Sequence, residues 1–236
     1  MINAIDLAWL GVLRHGESTG NVAAARAEAT GADALDIDTP DHATGLTEHG
    51  RAQATTVGAW FAGLPADQRP DQIIASPYLR AAQTAEVVAA AVGVDVRLDE
   101  RLRDRELGVL DRLTQRGVIR QHPLEAARRA HLGRFYHRPP GGESWADVAQ
   151  RLRDHLAQYR VAAAGQRILI VTHEAVITLC RYIIEGLTVA QADELSRRPT
   201  ANVGLTSWEH RDGALVLAGY DDTTPAQAMA TRQPNV

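Results

Sequence analysis

The chain has 236 residues, of which 45% are hydrophobic and 23% charged, and its net charge is −4. That balance is ordinary for a soluble globular protein, and the length suits one large domain with its own core. All 25 basic residues are arginine, which excludes Schiff-base and P-loop lysine chemistry. The acidic balance argues against a nucleic-acid binder, so an anionic ligand needs a local arginine cluster. No apolar run approaches the roughly 18–20 residues that span a bilayer. The first residues carry neither the basic region nor the cleavage site of a signal peptide. The single cysteine, Cys180, allows no intrachain disulfide, and a reducing cytoplasm is the expected setting.

The first apolar run, Ala8 to Leu13, reads as a buried strand that ends in Arg14-His15-Gly16. Gly16 and Gly20 suit a loop whose backbone approaches a ligand closely, and Asn21 is placed to begin a helix. Thr30 to His42 is acidic and rich in turn residues, and is expected to form a loop or lid. Thr47 caps a helix running to about Leu64. Strands follow at Asp71–Ala75 and Val94–Leu98, with a helix from Tyr78 to Val92 between them. Between Thr114 and Gly133 two short helices flank His122-Pro123. After the break at Pro139-Pro140-Gly141-Gly142 a long amphipathic helix spans Glu143 to Ala163. Arg167–Thr172 is the strongest strand pattern and ends at His173, with a helix from Glu174 to Glu185 behind it. Val203–Trp208 and Ala214–Tyr220 form a late hairpin or strand pair around Asp212-Gly213. Residues 1–222 are expected to be the domain and 223–236 a flexible tail.

Strands alternating with helices predict an α/β domain with a largely parallel sheet, and such sheets bind ligands at the carboxyl ends of their strands. Those ends carry Arg14 and His15, Ser76-Pro77 with Arg80 just inside the next helix, and His173. Two histidines and two arginines suit phosphoryl transfer without a metal. One neutral imidazole attacks phosphorus, and the cations stabilise charge on the non-bridging oxygens. A carboxylic acid must protonate the leaving oxygen, and the candidates lie in Arg103-Asp104-Arg105-Glu106-Leu107-Gly108. His173-Glu174 does not begin a zinc motif, because position 177 is isoleucine. His42, His49, His122, His131, His137, His155 and His210 read as surface or capping residues, and Trp60, Trp145 and Trp208 as core. Arg101, Arg103 and Arg105 fit either a solvated charged run or the wall of an anionic pocket.

Five segments in order resemble the histidine phosphatase superfamily, the phosphoglycerate-mutase-like proteins. They are Leu13-Arg14-His15-Gly16-Glu17 with Asn21, Leu46-Thr47-x-x-Gly50-x-x-Gln53-Ala54, Ser76-Pro77-x-x-Arg80-Ala81-x-Gln83-Thr84-Ala85, Pro140-Gly141-Gly142-Glu143-Ser144, and Val171-Thr172-His173. The resemblance implies a single-domain three-layer α/β/α sandwich with a mostly parallel central sheet. It implies that His15 is the nucleophile, that Arg14, Arg80 and His173 complete a phosphate pocket, and that Asn21 adds a hydrogen-bond donor. It implies no cofactor and no metal. The proton donor stands four residues before a glycine, which gives Asp104, with Glu106 as the competing choice. The segment from His122 to Ser144 also resembles the fructose-2,6-bisphosphatase branch, which points to Tyr136 and Arg138 as contacts for a second phosphate. Glu174 stands where most of the superfamily has glycine, implying a more crowded or more acidic pocket rim.

The expected function is a metal-independent phosphomonoesterase acting on a small phosphorylated metabolite through phosphohistidine. The alternatives are a phosphoglycerate mutase using the same intermediate and a catalytically weak phospholigand-binding or regulatory protein. Expected partners are a small phosphorylated substrate, no nucleic acid and no membrane, with a homodimer left open.

Overall fold

A computed structural model describes residues 5–160 and 165–227. The six strands are β1 (Leu7–Arg14), β2 (Gln72–Ala75), β3 (Val96–Leu98), β4 (Gln166–Thr172), β5 (Leu205–Arg211) and β6 (Ala214–Asp222). They form one sheet in the order β3-β2-β4-β1-β5-β6. The first four in that order are parallel, and β5 and β6 close the other side antiparallel. The sheet is therefore mixed and mostly parallel, as expected.

The apolar runs of β1, β2 and β4 are continuous because both faces of the sheet are covered. Ile168 and Ile170 face one core with Leu10, Val12 and Ile74, whereas Leu169 and Val171 face the other with Leu13, Ile73 and Ala75. The first core is covered by α6 (Trp145–Ala157) and α7 (Glu174–Ile184), through Val148, Leu152, Leu156, Ile177 and Cys180. The second is covered by α2 (Glu48–Ala62) and α3 (Leu79–Val92), through Val57, Phe61, Ala81, Ala85 and Val88. This is the three-layer arrangement. Residues 224–227 form a short helix with Pro225 buried and Ala226 against the second core. The packed chain thus continues past 222, and residues 228–236 of the expected tail lie outside the described residues.

Helix α1 (Thr19–Thr30) begins earlier than Asn21 suggested. Ser18 is its N-cap and Asn21 is the third helical residue, closing a reciprocal capping box. Helices α4 (Gln115–Gln121) and α5 (Pro123–Tyr136) meet at His122-Pro123 as expected, and α5 is broken near its end by Gly133 at φ 74°. Helix α8 (Val189–Leu195), also capped reciprocally by Thr188 and Gln191, was not anticipated. His137 and His155 correct the surface reading. Both are buried, because each has an acidic partner: Glu125 Oε2 is 3.0 Å from His137 Nε2, and Asp99 Oδ2 is 3.0 Å from His155 Nδ1.

Two glycines bring the start of α2 against the loop after β1. A Cβ on Gly50 would lie 2.0 Å from the Glu17 carbonyl oxygen, and one on Gly16 would lie 2.6 Å from that of Gly50. Gly50→Ala is expected to lower stability by about 1–3 kcal/mol through overpacking. Chemical denaturation measures it, and an unchanged midpoint would mean that the loop yields freely.

Candidate active site

The strand order places β1 beside β4, with Arg14 opposite Thr172, so the residues that follow these strands are neighbours. The His15 amide donates to the Thr172 carbonyl at 3.0 Å, and the Ser76 amide donates to the Val171 carbonyl at 3.0 Å. Three chain ends that are remote in sequence thus meet at one edge. The His15 and His173 rings lie 5.2 Å apart between centroids, and both are buried.

Hydrogen bonding assigns the His15 tautomer. Its Nδ1 lies 2.8 Å from the Gly16 carbonyl, which can only accept, so Nδ1 carries the proton. Nε2 then holds the lone pair, which accepts from Arg80 Nε at 3.2 Å. Burial, and after it the neighbouring His173 and Arg80, push the His15 pKa well below its ordinary value. A neutral imidazole with Nε2 unprotonated is the nucleophilic form. His173 is also held neutral, chiefly by burial and then by Arg80. Its Nε2 lies 2.8 Å from Ser76 Oγ, whereas Nδ1 is buried without a hydrogen-bond partner, 3.4 Å from Asp104 Oδ2.

Arg80 is saturated. Nη1 donates to the Asp41 carbonyl, Asp41 Oδ1 and Thr44 Oγ1 at 2.7, 3.0 and 2.8 Å. Nη2 donates to Asp41 Oδ2 and Asp104 Oδ2, both at 3.1 Å. The Asp41 carboxylate grips the guanidinium with both oxygens, the geometry an incoming phosphate would use. Arg14 donates through Nη1 to the Thr200 carbonyl, and its Nη2 is 3.6 Å from Glu174 Oε2. Its Nε is buried without a partner.

A cavity of about 650 Å³ adjoins this cluster through Asp41, Asp104 and Glu174, while Arg14, His15, Arg80 and His173 themselves are not in its wall. Of the carboxylates on its wall, Asp41 and Asp104 contact Arg80, Asp104 also lies near His173, and Glu174 lies near Arg14. Glu174, at the first position of α7, lines the cavity, and burial raises its pKa. Glu106 also lines the cavity, but its Oε1 accepts a short hydrogen bond from the Tyr78 hydroxyl.

Two expectations differ from the structure. Tyr136 is exposed at the end of α5, and Arg138 pairs with Asp147 near the start of α6, its Nε 2.7 Å from Oδ2. Neither lines the cavity. The reason is local: Asp147 is the third residue of α6 and offers Arg138 an acid nine positions away. Asn21 Oδ1 accepts from the Ser18 amide and from Asn202 Nδ2, so that side-chain oxygen is committed to structure, and the donor role expected of Asn21 concerns Nδ2. The Gly16 amide is likewise donated to Thr84 Oγ1 rather than left for a ligand.

The arrangement matches a known family over nearly its whole length. The model of the histidine phosphatase superfamily (branch 1) covers residues 10–223. The chain belongs to the histidine phosphatase superfamily. A relative from Erwinia tasmaniensis named "Probable phosphoglycerate mutase GpmB" is 30% identical over 210 residues, 89% of this chain and 88% of that protein. Among solved structures of this fold, "Mycobacterial hydrolase 1" is 27% identical, with a TM-score of 0.73, covering 91% of this chain and 98% of the other. A mycobacterial glucosyl-3-phosphoglycerate phosphatase with VO3 is 25% identical, with a TM-score of 0.71 and the same two coverages. The family matched is the broad branch, so the likeness to fructose-2,6-bisphosphatases is not specific.

Asp41, Thr44 and Tyr78 are site residues that the sequence reading left unassigned. Only the acidic, turn-rich character of residues 30–42 hinted that this segment covers a pocket. Asp41→Asn is expected to tighten inhibition by inorganic phosphate or vanadate about tenfold, because the ligand no longer competes with a charged fork for Arg80. Weaker inhibition in this variant would instead mean that Asp41 holds Arg80 in place for the ligand.

Proposed function

We propose that the chain is a metal-independent phosphomonoesterase that hydrolyses a small phosphorylated metabolite through a phosphohistidine on His15. The observation that carries this reading is the His15 tautomer, with Nδ1–H fixed on the Gly16 carbonyl and the Nε2 lone pair facing Arg80. The bound phosphoryl group replaces Asp41 on Arg80 and takes further donors from Arg14, whose Nε has no protein partner. Nε2 attacks phosphorus as the phosphorus–oxygen ester bond breaks, and Asp104 gives its proton to the leaving oxygen. Water then attacks the phosphohistidine, the nitrogen–phosphorus bond breaks, and the water proton passes to the Asp104 carboxylate. Asp104 suits this role better than Glu106, since it touches both Arg80 and the neighbourhood of His173. The cavity volume lies within the roughly 300–1,000 Å³ of small-molecule sites.

The name carried by the Erwinia relative favours a second reading, in which the phosphoryl group returns to product as in a mutase. A screen of phosphorylated metabolites that measures free phosphate and isomerised product together separates the two. Phosphate release is expected. Isomerisation without it would establish the mutase, and neither product from any substrate would leave a phospholigand-binding protein.

A further inference from the structure

The stretch that carries Asp104, from Arg103 to Leu107, has no regular secondary structure, so its position has to be set from outside it. Two side chains supply much of that restraint: Glu143, just before α6, and Arg151, within it. Arg151 Nη1 donates to the Arg101 carbonyl at 2.7 Å, and Nη2 donates to the Asp104 carbonyl at 3.0 Å. Glu143 Oε2 accepts from the Glu106 amide at 3.2 Å, and the Glu143 amide donates to the Glu106 carbonyl at 2.9 Å. The two side chains also grip each other, with Arg151 Nε 3.0 Å from Glu143 Oε1 and Nη2 3.0 Å from Oε2. Arg103 Nη2 donates to the same Oε1 at 3.0 Å. The loop is therefore bracketed before, at and after the acid.

The bracket stands on a rigid base. Ser144 and Asp147 close a reciprocal capping box at the start of α6, and Val148, Ala149 and Leu152 bury the helix in the first core. Close approach of the two segments needs glycine at 142, where a Cβ would lie 2.6 Å from the Glu106 carbonyl oxygen.

This restraint fixes the direction of one carboxylate. Asp104 Oδ1 accepts from the Arg105 amide at 2.9 Å, which leaves Oδ2 at 3.1 Å from Arg80 Nη2 and 3.4 Å from His173 Nδ1. Among the described residues Glu143 and Arg151 make no hydrogen bond to Arg14, His15, Arg80 or His173, so their hold on the cluster runs through the loop. We infer that Glu143 and Arg151 are positioning residues for the general acid, fixing where the Asp104 carboxylate stands relative to Arg80 and His173. This rests on the phosphomonoesterase reading, with Asp104 as its acid, and deepens it. Misplacing a reacting group by about 1 Å costs on the order of 10²-fold in rate.

The test measures hydrolysis of an alkyl phosphate and of p-nitrophenyl phosphate on the same samples, so that any loss of folded protein cancels in the ratio of the two rates. After burial and Arg80, the Arg151 charge also helps to hold His173 neutral. The first variant is therefore Arg151→Lys, which keeps the charge and loses the fork that reaches two carbonyls and a carboxylate. The second combines Glu143→Gln with Arg151→Met, so that neither member of the pair is left charged alone. In both, the alkyl rate is expected to fall about tenfold or more relative to the nitrophenyl rate, since the poor leaving group depends most on the acid. Made on top of Asp104→Asn, the same substitutions should leave that ratio unmoved, because the group they position is gone. Equal losses on both esters, an unchanged ratio, or a shift that persists in the Asp104→Asn background would overturn the inference. If Asp104→Asn alone lowers the ratio in those cases, the phosphatase reading and its acid stand without the bracket. If it does not, Asp104 is not the acid and the bracket has nothing to position. A wild type that releases phosphate from neither ester sinks the reading itself, and the inference with it.

Discussion

Replacement of His15 by alanine is expected to abolish phosphate release, on the order of 10³-fold or more, and to leave the protein without an acid-labile phosphoryl label. The size of the effect follows from geometry. The His15 Nε2 lone pair accepts directly from the Arg80 guanidinium, whereas His173 has its Nε2 on Ser76 Oγ and its Nδ1 near the Asp104 carboxylate. His173→Ala is expected to slow turnover and still accept label. Rapid-mix labelling with a radioactive phosphomonoester, followed by acid treatment, reads both variants. If label persists in His15→Ala and disappears in His173→Ala, the two histidines exchange roles.

The acid is the second large effect. Asp104 and Glu106 are two residues apart, and the sequence spacing alone leaves both in contention. Their partners separate them: Asp104 Oδ2 lies against Arg80 and 3.4 Å from His173 Nδ1, whereas Glu106 accepts from Tyr78 and its amide bonds Glu143. A general acid contributes about 10²–10⁴-fold, and most where the leaving group is poor. Asp104→Asn should therefore cripple hydrolysis of an alkyl phosphate and slow a nitrophenyl ester far less. Glu106→Gln should leave the ratio of the two rates nearly unchanged. Leaving-group dependence confined to Glu106→Gln would move the acid to that residue.

Arg80 illustrates how reactivity and restraint share one site. Its guanidinium gives Nε to His15 and the rest of its donors to Asp41, Asp104 and Thr44. The lone pair of His15 and the charge of Arg80 are both occupied by protein groups. In the proposed reaction a phosphate would replace these contacts with its own, so that binding energy would be drawn on to expose His15. The loop that carries Asp41 would thereby affect affinity although it lies outside the histidine and arginine motifs.

The sequence by itself determined the strands, the principal helices and the family. β1 and β4 are legible because both faces are buried, which forces unbroken runs such as Ile168-Leu169-Ile170-Val171. The residues at their ends follow at once, since a parallel sheet gathers its carboxyl termini on one edge. The Thr188-x-x-Gln191 capping box that starts α8 is an equally local signal. Tertiary structure decided the rest. Arg138 and Arg134 are only four residues apart, yet Asp147 draws one to the surface and Gly133 precedes the other at the cavity wall. Asp41 pairs with Arg80 across 39 positions, and His155 is buried because Asp99 lies 56 positions away. No local pattern encodes such pairs. A charged side chain takes the partner that folding brings within reach, and the low dielectric of a buried site makes that choice decisive.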